Sequence, residues 1–157
     1  MIAQLPSNEI DNLLYNQIIG RLGCHNKDSI YVVPISYAYD GKDIYCHSYE
    51  GKKIAIMRTN PNVCFQVDEM RDMGNWKSVV AWGKFEELTA SEQRNQALKL
   101  LLERRLPVVS SITTHLGEAW PFSYRDLDKI PGILFRISIT EKTGKFEKTS
   151  EASFVDV

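Results

Sequence analysis

No apolar run in this 157-residue chain approaches the roughly 20 residues that a membrane-spanning helix needs. The opening MIAQLPSNEIDN also lacks the basic and apolar regions of a secretory leader. Cysteine is scarce. Cys24, Cys46 and Cys64 are odd in number and each sits in an apolar, strand-like context, which argues against a disulfide framework and suits reduced core thiols in a cytoplasmic protein. C-x-x-C and H-x-x-x-H spacings are missing, and the adjacent pairs Cys24-His25 and Cys46-His47 would point to opposite faces of a strand, so no metal site is expected. Charge of one sign is missing too: 19 Lys and Arg face 20 Asp and Glu, leaving a net charge of −1 and no basic field to recruit nucleic acid or an anionic membrane. Seven tyrosines and three tryptophans would offer stacking platforms for a single strand, but no basic groove accompanies them, and Trp76, Trp82 and Trp120 read as packing residues. Repeats, low-complexity segments and Pro/Gly-rich linkers are absent, so residues 1–157 are expected to form one domain.

What the chain does have is β-pattern. Ser7 or Asn8 can cap a first helix carrying Ile10, Leu13, Leu14 and Ile18 on one face, with Gly20 closing it. SIYVVPISYAYDGKDIYCHSY reads as a hairpin: two β-rich runs around the turn signal Asp40-Gly41. Pro34 cannot donate to a sheet ladder, so its position must face an edge, a bulge or a ligand. A short helix follows over 51–58, then the strands NVCFQVDEM and WKSVVAWGKFEEL. Thr89 and Glu92 form a capping-box pattern for a helix running to Pro107. The stretch 108–132 is irregular, and ILFRISITE is the last clear strand, followed by KTGKFEK. Helices before, between and after long strands do not alternate as in a parallel α/β sheet, so a mainly β, largely antiparallel barrel with peripheral helices fits better.

The junction YCHSYEGKKIAIM carries a chemical signal. An aromatic extended run passes through Gly51 into Lys52 and Lys53 at a helix start. Free amides at a helix N-terminus attract anions, whereas lysines there oppose the helix dipole and cost a few tenths of a kcal/mol unless a negative group compensates. A phosphate would compensate, at about 1.5–3 kcal/mol per charge-assisted hydrogen bond. A solvated pair of surface lysines is the plainer alternative. His47 and Ser48 end the preceding strand, and the hairpin would set the run from Pro34 to Tyr37 beside them, at the roughly 5 Å spacing of paired strands. A planar ring lying on that edge would have its phosphate at the lysines.

The segments GRLGCH, YVVPISYAYDGKDIYCHSYEGKK, NPNVCFQVDE, WKSVVAWGKFEEL and ITEKTGKF together resemble the pyridoxamine 5'-phosphate oxidase-like, FMN-binding split β-barrel family. The likeness is greatest to its branch of nitroimidazole-reductase (Nim) resistance proteins. It spans nearly the whole chain, in order. The resemblance implies an antiparallel, six-stranded split β-barrel and a homodimer with FMN between the subunits. It implies that Val33, Pro34, Ile35 and Ser36 form the strand whose backbone touches the flavin ring. Cys46, His47 and Ser48 would stand beside the ribityl chain and phosphate, with Lys52 and Lys53 as the basic phosphate pair and Ser78 as a polar residue near the ring. The histidine matching His47 is proposed in that branch to act in the reaction; a hydrogen-bonded structural histidine is the other reading of such a position. The basic, histidine-containing C-terminal motif of true oxidases is missing from TSEASFVDV, so pyridoxamine phosphate oxidation itself is not expected. The implied function is an FMN-dependent oxidoreductase reducing nitroaromatic or related small molecules. A non-catalytic flavin carrier or redox sensor is the alternative, and a barrel holding haem or another planar cofactor a third.

Overall fold

The computed structural model describes residues 1–104 and 127–149. Among these residues, eight strands join one antiparallel sheet that curls into a half-barrel, and three helices flank it. The chain opens with β1 (Ile2–Gln4) and α1 (Ser7–Asn16), then β2 (Ile19–His25), β3 (Ile30–Ser36), β4 (Ala38–Tyr39) and β5 (Ile44–Ser48). After α2 (Lys52–Thr59) come the long strands β6 (Asn62–Asp72) and β7 (Asn75–Glu87), then α3 (Ser91–Glu103), a 3-10 turn (Leu127–Lys129) and β8 (Ile133–Lys148). The sheet order is β3-β2-β6-β7-β8-β5-β4, with β1 pairing β8. Apart from the two- and three-residue strands β4 and β1, six strands make the expected split β-barrel. None of the described helices is long and apolar enough to cross a membrane.

Several local expectations are corrected. Helix α1 ends at Asn16, so Ile18 lies outside it. Gly20 is not its stop but a β2 residue, where a β-carbon would lie 2.2 Å from the Phe65 ring. Neither α1 nor α3 has a side-chain cap, so the Thr89/Glu92 box does not close. Residues 105–126, including Pro107, His115 and Trp120, lie outside the described residues. The final strand is longer than its apolar run suggested: KTGKFEK continues β8 without a break, and β1 pairs with that extension from Ile2↔Glu147 to Gln4↔Lys145.

The largest correction concerns the hairpin. Asp40-Gly41 does turn the chain, with Gly41 at φ 95° and Asp40 Oδ1 accepting the amides of Lys42 and Asp43 at 2.9 and 2.7 Å. But the ladder across it covers only Ala38↔Tyr45 and Tyr39↔Ile44. Beyond Tyr37 the chain leaves for the far side of the sheet, and β3 pairs with β2 along its whole length, from Ile19↔Ser36 to His25↔Ile30. β3 is therefore an edge strand, the position that tolerates Pro34. A split opens between β3 and the end of β5 where the hairpin was expected to be closed.

Alternation along the strands sets two cores. Ile44 and Cys46 of β5, with Phe135 and Ile137 of β8, face the barrel interior among Leu14, Leu22 and Phe65. Tyr45 and Leu134 face the other way, onto Leu98 and Leu101 of α3. Each fully buried aliphatic or aromatic side chain contributes about 1.5–3 kcal/mol. His47 follows Tyr45 on the α3 side, and that parity decides its surroundings.

Candidate functional site

The split is a cavity of about 210 Å³. Pro34, Ile35 and Ser36 of the β3 edge line one side, and His47 and Ser48 at the end of β5 line the other. Tyr49, Glu50 and Lys53 close it where the chain enters α2. Gly51 precedes the helix as its N-cap and offers no side-chain cap, so the first amides of α2 lack acceptors within the helix and stand beside Lys53. A β-edge, a helix N-terminus and a lysine thus converge on one volume.

The two lysines part company. Successive residues on a helix are about 100° apart, so only one of an adjacent pair can face the cavity. Lys53 is half-buried on its wall, whereas Lys52 is exposed and holds its ammonium 5.1 Å from the centroid of the Tyr31 ring. Glu50 is bound by both guanidinium ends of Arg58 at 2.8 and 2.9 Å, and Arg58 also grips Glu87.

His47 is 6% exposed, and its Nε2 lies 2.7 Å from the carbonyl oxygen of Pro131, 84 residues away. The Tyr49 ring meets it edge-on at 5.3 Å. Burial pushes the imidazole pKa below its ordinary value; the Pro131 hydrogen bond opposes this, and the charges of Arg94 and Arg104 reinforce it. The ring is therefore neutral at neutral pH.

The remaining sequence-derived residues sit off the cavity wall. Val33 turns inward against the barrel core. Cys46 is fully buried on the interior face, with its thiol pushed up to about 12 by burial, so only its backbone is near the site. Ser78 lies on β7 opposite Asp68 and accepts a hydrogen bond from Gln66 Nε2 at 3.1 Å. That glutamine also donates to Asp68, which binds Arg21 at 2.6 Å, so Ser78 belongs to a polar row on the outer sheet face. Sequence reasoning missed Tyr49 and Glu50, though both sit inside the quoted junction. It also missed Arg94 and Pro131, for which no local signal exists.

The outer face of β2, β3, β6 and β7 also carries an apolar area, beyond that polar row. Ile30 and Val32 are 86% and 61% exposed, and with Trp82, Gly23 and Cys64 they line a shallow depression of about 470 Å³. Alternation places Val32, Pro34 and Ser36 on this same face, where Arg21, paired with Pro34, and Gln66 set a polar row between the depression and the cavity mouth.

Comparison with known proteins adds to this geometry. Residues 6–146 match a family model described as pyridoxamine 5'-phosphate oxidase. A FAD-binding protein from Mesorhizobium loti superimposes with a TM-score of 0.72 at 34% identity, over 94% of this chain and 99% of that one. A candidate 5-nitroimidazole antibiotic resistance protein from Bacteroides thetaiotaomicron gives a TM-score of 0.69 at 21% identity, over 93% of this chain and 87% of that one. An uncharacterized protein from Rhizobium meliloti, RA0666, is 45% identical over 74 residues, which are 47% of this chain and 49% of that protein. The match thus spans about half the length of that relative.

Proposed function

Because the chain belongs to the pyridoxamine 5'-phosphate oxidase family and has its flavin-binding fold, we propose that it binds FMN in the β3/β5 split and works as an oxidoreductase on nitroaromatic or related small molecules. The observation that carries this reading is the convergence of Lys53, the uncapped start of α2 and the open β3 edge on a single cavity. The fit is chemical. The helix amides and Lys53 suit a dianionic phosphate, the β3 edge offers unpaired backbone groups to a planar heterocycle, and His47 and Ser48 offer polar atoms to the hydroxyls between them.

The bound flavin would supply two-electron chemistry; the protein supplies position and electrostatics. Lys53 and the α2 amides hold the phosphate end. Backbone N–H groups of β3 orient the ring and favour negative charge on the atoms they face. Tyr49 shields the His47 side from water, and the neutral imidazole orients rather than attracts charge.

One cavity of about 210 Å³ is smaller than the roughly 300–1,000 Å³ of most cofactor pockets. A second copy of the chain is the wall that completes it, seated on the apolar face of Ile30, Val32 and Trp82 on the same strand as Pro34 and Ser36. FMN rather than FAD is the reading that one phosphate-sized locus supports.

The deciding experiment is a visible spectrum of the purified protein reconstituted with FMN, followed anaerobically with NAD(P)H and then a nitroimidazole. Bleaching by the nicotinamide and recovery on adding the nitro compound is the expected result. Bound flavin that no reductant bleaches would replace the enzyme by a carrier, and a protein that leaves FMN fluorescence unquenched would remove the flavin reading altogether.

A further inference from the structure

We propose that Arg94 is a positioning residue that locks His47 into one tautomer, so that the ring meets a bound ligand as a hydrogen-bond acceptor. The inference rests on the cavity beside β5 being the ligand site, and it makes His47 an acceptor toward the ligand rather than a donor.

Three consecutive carbonyls carry the argument. Arg94 on α3 donates from Nη2 to Ile130 O at 3.0 Å and from Nη1 to Gly132 O at 3.4 Å. The carbonyl between them, Pro131 O, is the one that His47 Nε2 reaches at 2.7 Å. A carbonyl oxygen accepts and cannot donate, so the proton must sit on Nε2. A neutral imidazole protonated there carries a lone pair on Nδ1. Among the described residues Nδ1 has no hydrogen-bond partner, and it is not among the buried unpartnered atoms, so it stays accessible on a residue that lines the cavity. That leaves the lone pair for a ligand.

The turn is built for this contact. Gly132 has φ 98°, and a β-carbon on it would lie 2.6 Å from His47 Nε2, so the close approach depends on glycine. Ser91 Oγ donates to Asp128 at 2.6 Å, fastening the preceding 3-10 turn to the start of α3. Arg94 does not line the cavity wall, and its hydrogen bonds reach His47 only by way of the 130–132 turn, beside the effect of its charge on the ring. An acceptor at this point favours a ligand that presents a hydroxyl or N–H to it, as the polyhydroxyl chain of FMN does.

The test is a long-range 1H–15N correlation spectrum of the full chain labelled with 15N-histidine, recorded above neutral pH without ligand. His47 is identified by the signals lost in His47→Gln. The Nε2–H pattern is expected; an Nδ1–H or mixed pattern overturns the lock. Arg94→Gln and Arg94→Lys each lose the fork across the two carbonyls, and each is expected to show mixed tautomers. A pure Nε2–H pattern in a folded Arg94 variant of either kind overturns the positioning role. Adding FMN to the parent protein should then move the Nδ1 resonance upfield. FMN that binds, by fluorescence quenching, without moving that resonance overturns the acceptor role. FMN that fails to bind removes the flavin reading and the acceptor contact with it, while the lock is decided by the ligand-free spectrum alone.

Discussion

Gly132 stands so close to His47 that a β-carbon there would lie 2.6 Å from Nε2 and 2.8 Å from the Ser48 carbonyl oxygen. At φ 98° the position also disfavours any L side chain. Gly132→Ala should therefore cost about 1–3 kcal/mol in urea unfolding and displace the imidazole from Pro131. Unchanged stability would show that the turn can move aside at no cost.

The two lysines of the helix start should behave differently. Lys53→Ala is expected to weaken FMN binding about 10- to 100-fold through loss of one charged hydrogen bond. Lys52→Ala removes an ammonium that sits over Tyr31, worth about 0.5–1 kcal/mol to the fold, and should change FMN affinity by less than about threefold. A flavin-fluorescence titration checks both, and equal losses would mean that both charges reach the phosphate.

The buried His47 makes stability pH-dependent with a definite sign. Its folded pKa lies below the ordinary 6.5 of the unfolded chain, chiefly through burial. Below about pH 6.5 the unfolded state therefore binds more protons, so stability is complete above that pH and is lost as pH falls toward the lowered folded pKa. Thermal melts from pH 7.5 down should show this loss, and His47→Gln should flatten that part of the curve. A parent curve that stays flat across this window would place His47 in water.

Tyr37 ties α1 to the sheet: its hydroxyl donates to the Leu14 carbonyl at 2.6 Å in a fully buried setting. Tyr37→Phe leaves that helix-end carbonyl unpaired and should cost about 1–3 kcal/mol, read as a lower urea midpoint at constant m-value.

Val32→Glu puts a charge in the middle of the exposed apolar face. If a second copy covers that face, light scattering should show a dimer for the parent and a monomer for the variant, with FMN affinity falling in parallel. A parent that is already monomeric would leave the cavity to be completed in another way.

The sequence carried the local facts well. Asp40-Gly41 announced its turn, the alternation of Val63, Phe65 and Val67 announced β6, and the junction at Gly51 announced a helix start beside polar strand-end residues. It carried the pairings poorly. Nothing near Tyr37 says that β3 leaves the hairpin for β2, because that choice is made by contacts with Ile19, Gly20 and Leu22 elsewhere in the chain. Two site assignments were nonetheless readable from geometry alone. Strand parity puts Cys46 opposite to His47, and helical spacing turns Lys52 away from Lys53. The Pro131 partner of His47 was not readable at all, since a carbonyl carries no side-chain signature.

Strand β8 binds β7 along its length, β5 near its beginning and β1 near its end. Three edges therefore wait on one late segment while the polypeptide is being made. Until residues 133–148 emerge from the ribosome, the nascent protein exposes unsatisfied ladders that invite pairing with neighbours. Closure then joins positions as distant as Ile2 and Glu147, the kind of long-range pairing that slows folding because the loop entropy is lost before the contacts form.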